Sequence, residues 1–297
     1  MKHQNKSLTI PLENVASSPL FIGGKTRLSC ATSVSILDDN HLACAHFAGQ
    51  KIYIYKFDIN SGQYEMTGCA DTTYNGKLCK TDLMTSNGDG KIAVSNFLEK
   101  SCTLYKYTNQ SINFSHYIPH ICGDFVHGVK FYNDNIIAMT SRRAYSGVYF
   151  VNISDGSTIF TINTNRNSVQ DVCFINDSKL VLISTSNTPK MRQHDMWSSF
   201  VDIYDYSVEG AKAILTGSIE FPNSQLDNLV LYNSNIYITN QYQNLVLVMC
   251  PISGKIVNKY AGFEFPHGID VSNGLMAVSN YGTNTIEIRK LGENLRE

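Results

Sequence analysis

Charge is scarce in this sequence: Asp, Glu, Lys and Arg together make up 16% of 297 residues and balance to a formal net charge of −1. No global field therefore steers nucleic acid or an anionic bilayer toward it. No basic run interleaves with aromatics in the manner of a nucleic-acid groove. Long apolar runs are missing too. Neither the stretch from Met1 to Asn14 nor any later segment reaches the length of a signal-peptide core or a membrane span. The expectation is a chain that engages neither nucleic acid nor membrane and acts as a monomer. Also absent are a GxSxG elbow, a P-loop, a GxGxxG after a strand and an HExxH pair, which disfavours the chemistries built on those templates.

CxxC pairs are absent although eight cysteines are present: Cys30, Cys44, Cys69, Cys79, Cys102, Cys122, Cys173 and Cys250. Most stand in apolar, strand-like runs such as Leu42-Ala43-Cys44-Ala45 and Asp171-Val172-Cys173-Phe174. An even count reads as a disulfide framework only in small secreted chains with little core of their own. Here the length suffices for a core. Reduced, buried thiols and a cytoplasmic or host-cytosolic setting are expected, with non-classical secretion left open.

What the sequence does have is a repeat. Pro266-His267-Gly268-Ile269-Asp270-Val271 is followed by a turn at Ser272-Asn273-Gly274, by Leu275-Met276-Ala277-Val278-Ser279-Asn280, and then by Thr285-Ile286-Glu287-Ile288. Val126-His127-Gly128-Val129-Lys130-Phe131 opens the same pattern upstream, and further copies begin at Ser33, Asp82, Asp171 and Asn228. Hairpin turns recur at Asn60-Ser61-Gly62, Thr108-Asn109-Gln110, Ser154-Asp155-Gly156, Val208-Glu209-Gly210 and Ser253-Gly254, where Gly, Asn and Asp supply positive φ. Four strands in a period of about 40 to 50 residues are the mark of propeller blades. The chain is thus expected to be all-β: one six-bladed β-propeller domain over residues 1–297, with four antiparallel strands per blade. The sixth copy stops after Ile288-Arg289-Lys290, so its outer strand is expected from Ser7-Leu8-Thr9-Ile10-Pro11. Stacked sandwiches or a β-solenoid would not require a turn in register in each copy.

The segment Pro266-His267-Gly268-Ile269-Asp270-Val271 through Ile288 resembles NHL-type blades, and the whole chain resembles the NHL and gluconolactonase-like class of six-bladed propellers. No blade ends in the tryptophan–aspartate pair of the WD type. The resemblance implies a ligand site at the axis, as in metal-dependent lactonases, strictosidine synthase-like enzymes and virginiamycin B lyase. Pro266-His267-Gly268-Ile269 is similar to the lyases' histidine-bearing segment, whereas Thr32-Ser33 stands where the lactonases carry an acidic metal ligand.

In a propeller the starts of first strands and the ends of second strands converge on one mouth of the channel. Aligned, the copies place Thr32, Thr81, His127, Gln170, Asp227 and His267 at the first position, and Ser33, Asp82, Gly128, Asp171, Asn228 and Gly268 at the next. His46, Asn96, Ser141, Thr185, Asn240 and Asn280 close the second strands. Polar groups at a protein's centre are costly unless bonded to one another, to water or to a ligand. His127 and His267 are therefore the candidate acid and base, with Asp227 orienting or charging His267. His46, Asp82, Asn96, Gln170, Asp171, Asn228, Asn240 and Asn280 are candidate ligand contacts. Arg142 and Tyr281 follow on the rim. The long blade-four segment from Asn187 to Ser199, which holds Arg192 and the only tryptophan, Trp197, is a candidate lid.

No cofactor is required by these residues, but His46, His127, His267 and Asp227 could hold a divalent metal, facing one another across the channel. The leading expectation is a site for a small-molecule or peptide ligand with lyase-, hydrolase- or cyclase-type acid–base chemistry. The alternative is a non-catalytic protein- or peptide-binding scaffold.

Overall fold

Strands whose residues are apolar on both faces, such as His41–His46 and Leu275–Asn280, must be covered on both sides. A computed structural model of the chain shows how. It describes residues 6–12, 20–22, 25–27, 31–47, 50–74, 77–119, 125–142, 146–185 and 198–292. Six four-stranded antiparallel sheets stand side by side as the blades of a propeller. Blade one is Ala31–Ile36, His41–His46, Lys51–Asp58 and Gln63–Asp71, and blade two is Thr81–Ser86, Lys91–Asn96, Ser101–Thr108 and Ser111–Pro119. Blade three is Val126–Phe131, Ile136–Ser141, Gly147–Asn152 and Thr158–Asn163, and blade four is Ser168–Asn176, Lys179–Thr185, Ser198–Ser207 and Lys212–Pro222. Blade five is Leu226–Tyr232, Asn235–Asn240, Leu245–Met249 and Ile256–Ala261. Blade six takes Pro266–Ser272, Leu275–Asn280 and Thr285–Lys290 from the C-terminal end and Ser7–Pro11 from the N-terminal end. No helix among the described residues is long and apolar enough to cross a membrane.

The core is not at the axis. It is divided into six apolar clusters, one at each seam between neighbouring blades. Inner strands are buried on both faces, while outer strands such as Ile256–Ala261 alternate between half-buried and exposed. Hairpin turns lie where the sequence placed them, with positive φ at Gly62, Asn109, Gln110, Gly156 and Gly254. In blade four the left-handed residue is Ala211 rather than Gly210.

The closing strand is antiparallel to Thr285–Lys290, with Ile10 opposite Ile286 and Leu8 opposite Ile288. Ile10 and Leu8 are buried against Val34, Leu42 and Tyr55 of blade one, so this strand belongs both to the last sheet and to the seam that shuts the ring. Ile10→Ala should cost about 2–5 kcal/mol in urea unfolding. Val257→Ala, on the exposed outer strand of blade five, should stay within about 0.5 kcal/mol. Equal effects would show that the ring does not depend on its closing strand.

The expectation of uniformly buried thiols needs correction. Cys44, Cys79, Cys102 and Cys173 are buried, but Cys69 is exposed and Cys250 half-exposed, because the outer strand of blade one and the turn after blade five's third strand face solvent. Cys30 and Cys122 lie outside the described residues. Burial drives the Cys44, Cys102 and Cys173 thiols far up, whereas hydrogen bonds from Ser253 bring Cys250 down. Peptide mapping after native alkylation should find Cys69 and Cys250 modified and the four buried thiols intact until denaturant is added.

Candidate functional site

Every first strand starts with a bulge, and the bulges build the axis. In blade three Val126 pairs with Ser141 and Val129 with Met139, so His127 and Gly128 together face Thr140 alone. Blades two, five and six skip in the same way at Asp82-Leu83, Asp227-Asn228 and His267-Gly268. In blades one and four a single residue is extra, Thr32 and Gln170. A hydroxyl fills each two-residue bulge. Thr140 Oγ1 accepts from Gly128 N–H and donates to the Gln170 carbonyl, while Ser279 Oγ accepts from Gly268 N–H and donates to the Thr32 carbonyl. Ser95 and Thr239 repeat the arrangement beneath the His127 and His267 carbonyls.

The equivalent residues are therefore Thr32, Asp82, His127, Gln170, Asp227 and His267. The sequence alignment was one residue off in blade two, where Asp82 and not Thr81 matches His127. Neither apolar content nor the interval to the second-strand end distinguishes the two positions, because that interval ranges from 13 to 15 residues among the copies. Read around the ring, blades one to three repeat as blades four to six, with Thr opposite Gln, Asp opposite Asp and His opposite His.

Those four ionisable side chains meet. Asp82 lies 3.4 Å from His127 Nε2 and 3.4 Å from His267 Nε2. Asp227 lies 3.7 Å from His127 Nε2 and 3.2 Å from His267 Nε2. The histidine rings are 5.7 Å apart between centroids. The expectation that they would face each other across an open channel is thus replaced by a packed tetrad of alternating acid and imidazole. Each imidazole is oriented by its other nitrogen: His127 Nδ1 donates to the Gln170 carbonyl and His267 Nδ1 to the Thr32 carbonyl, both at 2.7 Å. Both Nε2 atoms are thereby turned to the centre.

All four groups are buried; Asp82 and His267 keep 8% and 9% side-chain exposure, His127 and Asp227 at most 1%. Burial lifts Asp82 to about 6 and Asp227 to about 7 against the pull of the Arg142 charge. It also holds both histidines below their usual value, with Arg142 adding to the effect. Among the described residues, His127 Nε2 and both oxygens of Asp227 have no hydrogen-bond partner.

A band of rings crosses the mouth above the tetrad. Phe125 stacks on Phe97 at 4.8 Å, Phe97 stands edge-on to His127, and Tyr281 stacks on His267 at 5.1 Å. Phe265 and Tyr242 continue it. Phe265 has φ +51°, an outlier for a bulky residue. Its N–H is held by the Asn244 side chain and its carbonyl by Tyr281 N–H. Arg142 lies over Phe97, contacts the Gln170 side-chain oxygen and stands 3.5 Å from Asp227. Phe97, Phe125 and Phe265 went unmarked in the sequence because phenylalanines are common throughout it.

The remaining candidates do other work. Asn96 bonds to the Ser101 and Thr103 hydroxyls of its third strand, Asn240 to the Ser224 hydroxyl and Gln243 N–H, and Asn280 to Glu264 N–H and the Thr285 hydroxyl. Asn228 and Asp171 join blades, accepting from Ile269 N–H and Leu229 N–H of the next blade and contacting each other. His46 stands edge-on to Tyr53, away from the tetrad, with burial lowering it to about 4. Arg192 and Trp197, with the rest of the lid candidate up to that point, lie outside the described residues. The opposite end of the channel opens into a cavity of about 840 Å³ bordered by Ser35, Ser86, Lys130 and Asp270.

Gly128 and Gly268 do not leave free space beside the imidazoles; they admit the neighbouring blade. A Cβ on Gly268 would lie 2.5 Å from Ser33 Cα, and one on Gly128 would lie 2.8 Å from the Gln170 carbonyl and press on Asp171.

No protein-family model matches this chain, and no curated protein matches it either. Solved structures do. The WD40 β-propeller domain of Doa1 aligns with a TM-score of 0.61 at 11% identity, over 95% of this chain and 98% of that one. The computationally designed Ika8 protein aligns with a TM-score of 0.51 at 10% identity, over 88% of this chain and 71% of that one. At such identities the likeness is one of fold: the chain is a six-bladed, all-β propeller.

Gly128→Ala and Gly268→Ala should each cost at least about 1–3 kcal/mol, the usual penalty of overpacking, in chemical denaturation. A substitution that left stability unchanged would return that glycine to the ligand.

Proposed function

We propose that this propeller binds a small polar ligand at the mouth above the Asp82–His127–Asp227–His267 tetrad and acts on it there. The observation that carries this is the set of buried acceptor atoms that make no hydrogen bond, His127 Nε2 and both oxygens of Asp227, packed together in the tetrad. Burying such groups without partners costs about 1–3 kcal/mol each, and proteins tolerate that cost chiefly where function requires it. Asp82 and His267 are the members a ligand meets first. Arg142, Tyr281 and Phe97 form the surface it crosses. The chemistry open to the cluster is of the lyase or hydrolase kind, in which a proton is moved or a water activated. The blade pattern at Pro266-His267-Gly268-Ile269 supports a place in the NHL or gluconolactonase-like class.

A structural role and a ligand-binding role predict opposite results for Asp227→Asn, which keeps the shape and removes the charge. In protein dialysed against a chelator, the variant should melt at or above the wild-type temperature. In a thermal-shift panel of small carboxylates, sugars, lactones and phosphates, it should lose whatever stabilisation the wild type gains. A marked drop in melting temperature, with no stabilising compound for the wild type, would favour a scaffold whose tetrad only holds the ring together.

A further inference from the structure

We infer that the tetrad is a binding site for one divalent transition-metal ion of the zinc class, held on the propeller axis by His127 Nε2, His267 Nε2 and an oxygen of Asp82, with the Asp227 carboxylate against both imidazoles as the fourth side of the site. This rests on the reading of the tetrad as a ligand site and names what sits at its centre.

The spacing is the first argument. Zinc binds imidazole nitrogen and carboxylate oxygen at about 2.0–2.2 Å, so the edges of its tetrahedron measure about 3.3–3.6 Å. The histidine–aspartate separations are of that size but divide between the two oxygens of each carboxylate: Asp82 Oδ2 and Asp227 Oδ1 lie 3.4 and 3.7 Å from His127 Nε2, and Asp82 Oδ1 and Asp227 Oδ2 lie 3.4 and 3.2 Å from His267 Nε2. Asp82, His127 and His267 each offer an atom within 4.8 Å of the others. A shared proton accounts for these distances less well, because charge-assisted N–H···O bonds close to about 2.7–2.9 Å.

The second argument is orientation. Each histidine donates from Nδ1 to a backbone carbonyl, the outer-shell contact that fixes a metal-binding imidazole and raises its basicity. That tautomer points two nitrogen lone pairs at carboxylate oxygens. Acceptors then face acceptors, and His127 Nε2 and both Asp227 oxygens make no hydrogen bond within the described residues, Arg142 reaching Asp227 only as an ion pair at 3.5 Å. A cation between them satisfies all of these atoms at once.

The donor set decides the kind of ion. Two imidazoles with two carboxylates suit zinc, cobalt, iron or manganese, whereas calcium takes six to eight oxygens and magnesium keeps several waters. The ligands come from blades two, three, five and six, in opposite pairs, so the ion lies on the pseudo-twofold axis of the ring. Arg142, beside Asp227 on one side only, breaks that symmetry. Asp82 and His267 keep a little side-chain surface, the side from which a fifth ligand, water or a substrate oxygen, would reach the ion.

The full-length protein, stripped with a chelator and checked for native circular dichroism, should bind one zinc ion per chain by titration calorimetry. With cobalt(II) it should give the intense visible bands of a tetrahedral site. His127→Ala and Asp227→Asn should each weaken zinc binding at least about 100-fold, since losing an outer-shell partner alone costs about 10–100-fold. His116→Ala, outside the tetrad, should leave binding unchanged. Absence of stoichiometric binding of zinc, cobalt or manganese by folded wild type would overturn the proposal, as would binding indifferent to both tetrad variants. If metal binding fails while a small organic compound still stabilises the protein through His127 and Asp227, the ligand-site reading stands and the metal falls. If metal binds and no compound does, the reverse holds.

Discussion

A sheet that is apolar on both faces cannot end. Each blade of this protein buries its inner strands only because another blade lies on either side, so the apolar surface is fully removed from water only when the ring is complete. That condition makes Ser7–Pro11 part of the architecture and not a decoration of it. The strand supplies the outer edge of blade six while Ile10 and Leu8 fill the seam with blade one. Six separate seams replace one central core, and the axis is released from the demand for apolar packing.

What occupies the axis follows from that release. The bulges at the starts of the first strands are where the tetrad side chains turn inward. Hydroxyls of Ser95, Thr140, Thr239 and Ser279 bond the backbone groups the bulges set free, and they tie each blade to the next. Two acids and two imidazoles can then be held in contact, because those hydroxyls anchor the His127 and His267 carbonyls and the N–H groups of the glycines that follow them. A flexible loop could not keep four such groups buried, since it would relax to hydrate them.

The near-twofold order of the ring, Thr-Asp-His followed by Gln-Asp-His, gives the cluster its alternating pattern. Neighbouring blades supply each Asp–His pair, and the opposite blades bring the second pair against the first. Departures from the symmetry are confined to the mouth, where Arg142 on blade three corresponds to Tyr281 on blade six. One half of the centre is thus flanked by a cation and the other by a stacked ring. The strained backbone of Phe265 lies on the Tyr281 side, held by Asn244.

Blade number, strand count, turn positions and the closing strand could all be read from the chain, because each depends on a local pattern: apolar runs of strand length, and Gly, Asn or Asp where positive φ is needed. His127, His267 and Asp227 were recognisable for the same reason, as polar residues at a repeated position of an apolar strand. The sequence could not reveal the bulge that shifts Asp82 into their ring, since a bulge is a relation between two paired strands. Nor could it show that Gly128 and Gly268 serve the adjoining blade, or that Asn96, Asn240 and Asn280 bond within their own blades. Whether opposite histidines stand apart or touch depends on the radius of the ring, and that radius is set only when all six seams have packed.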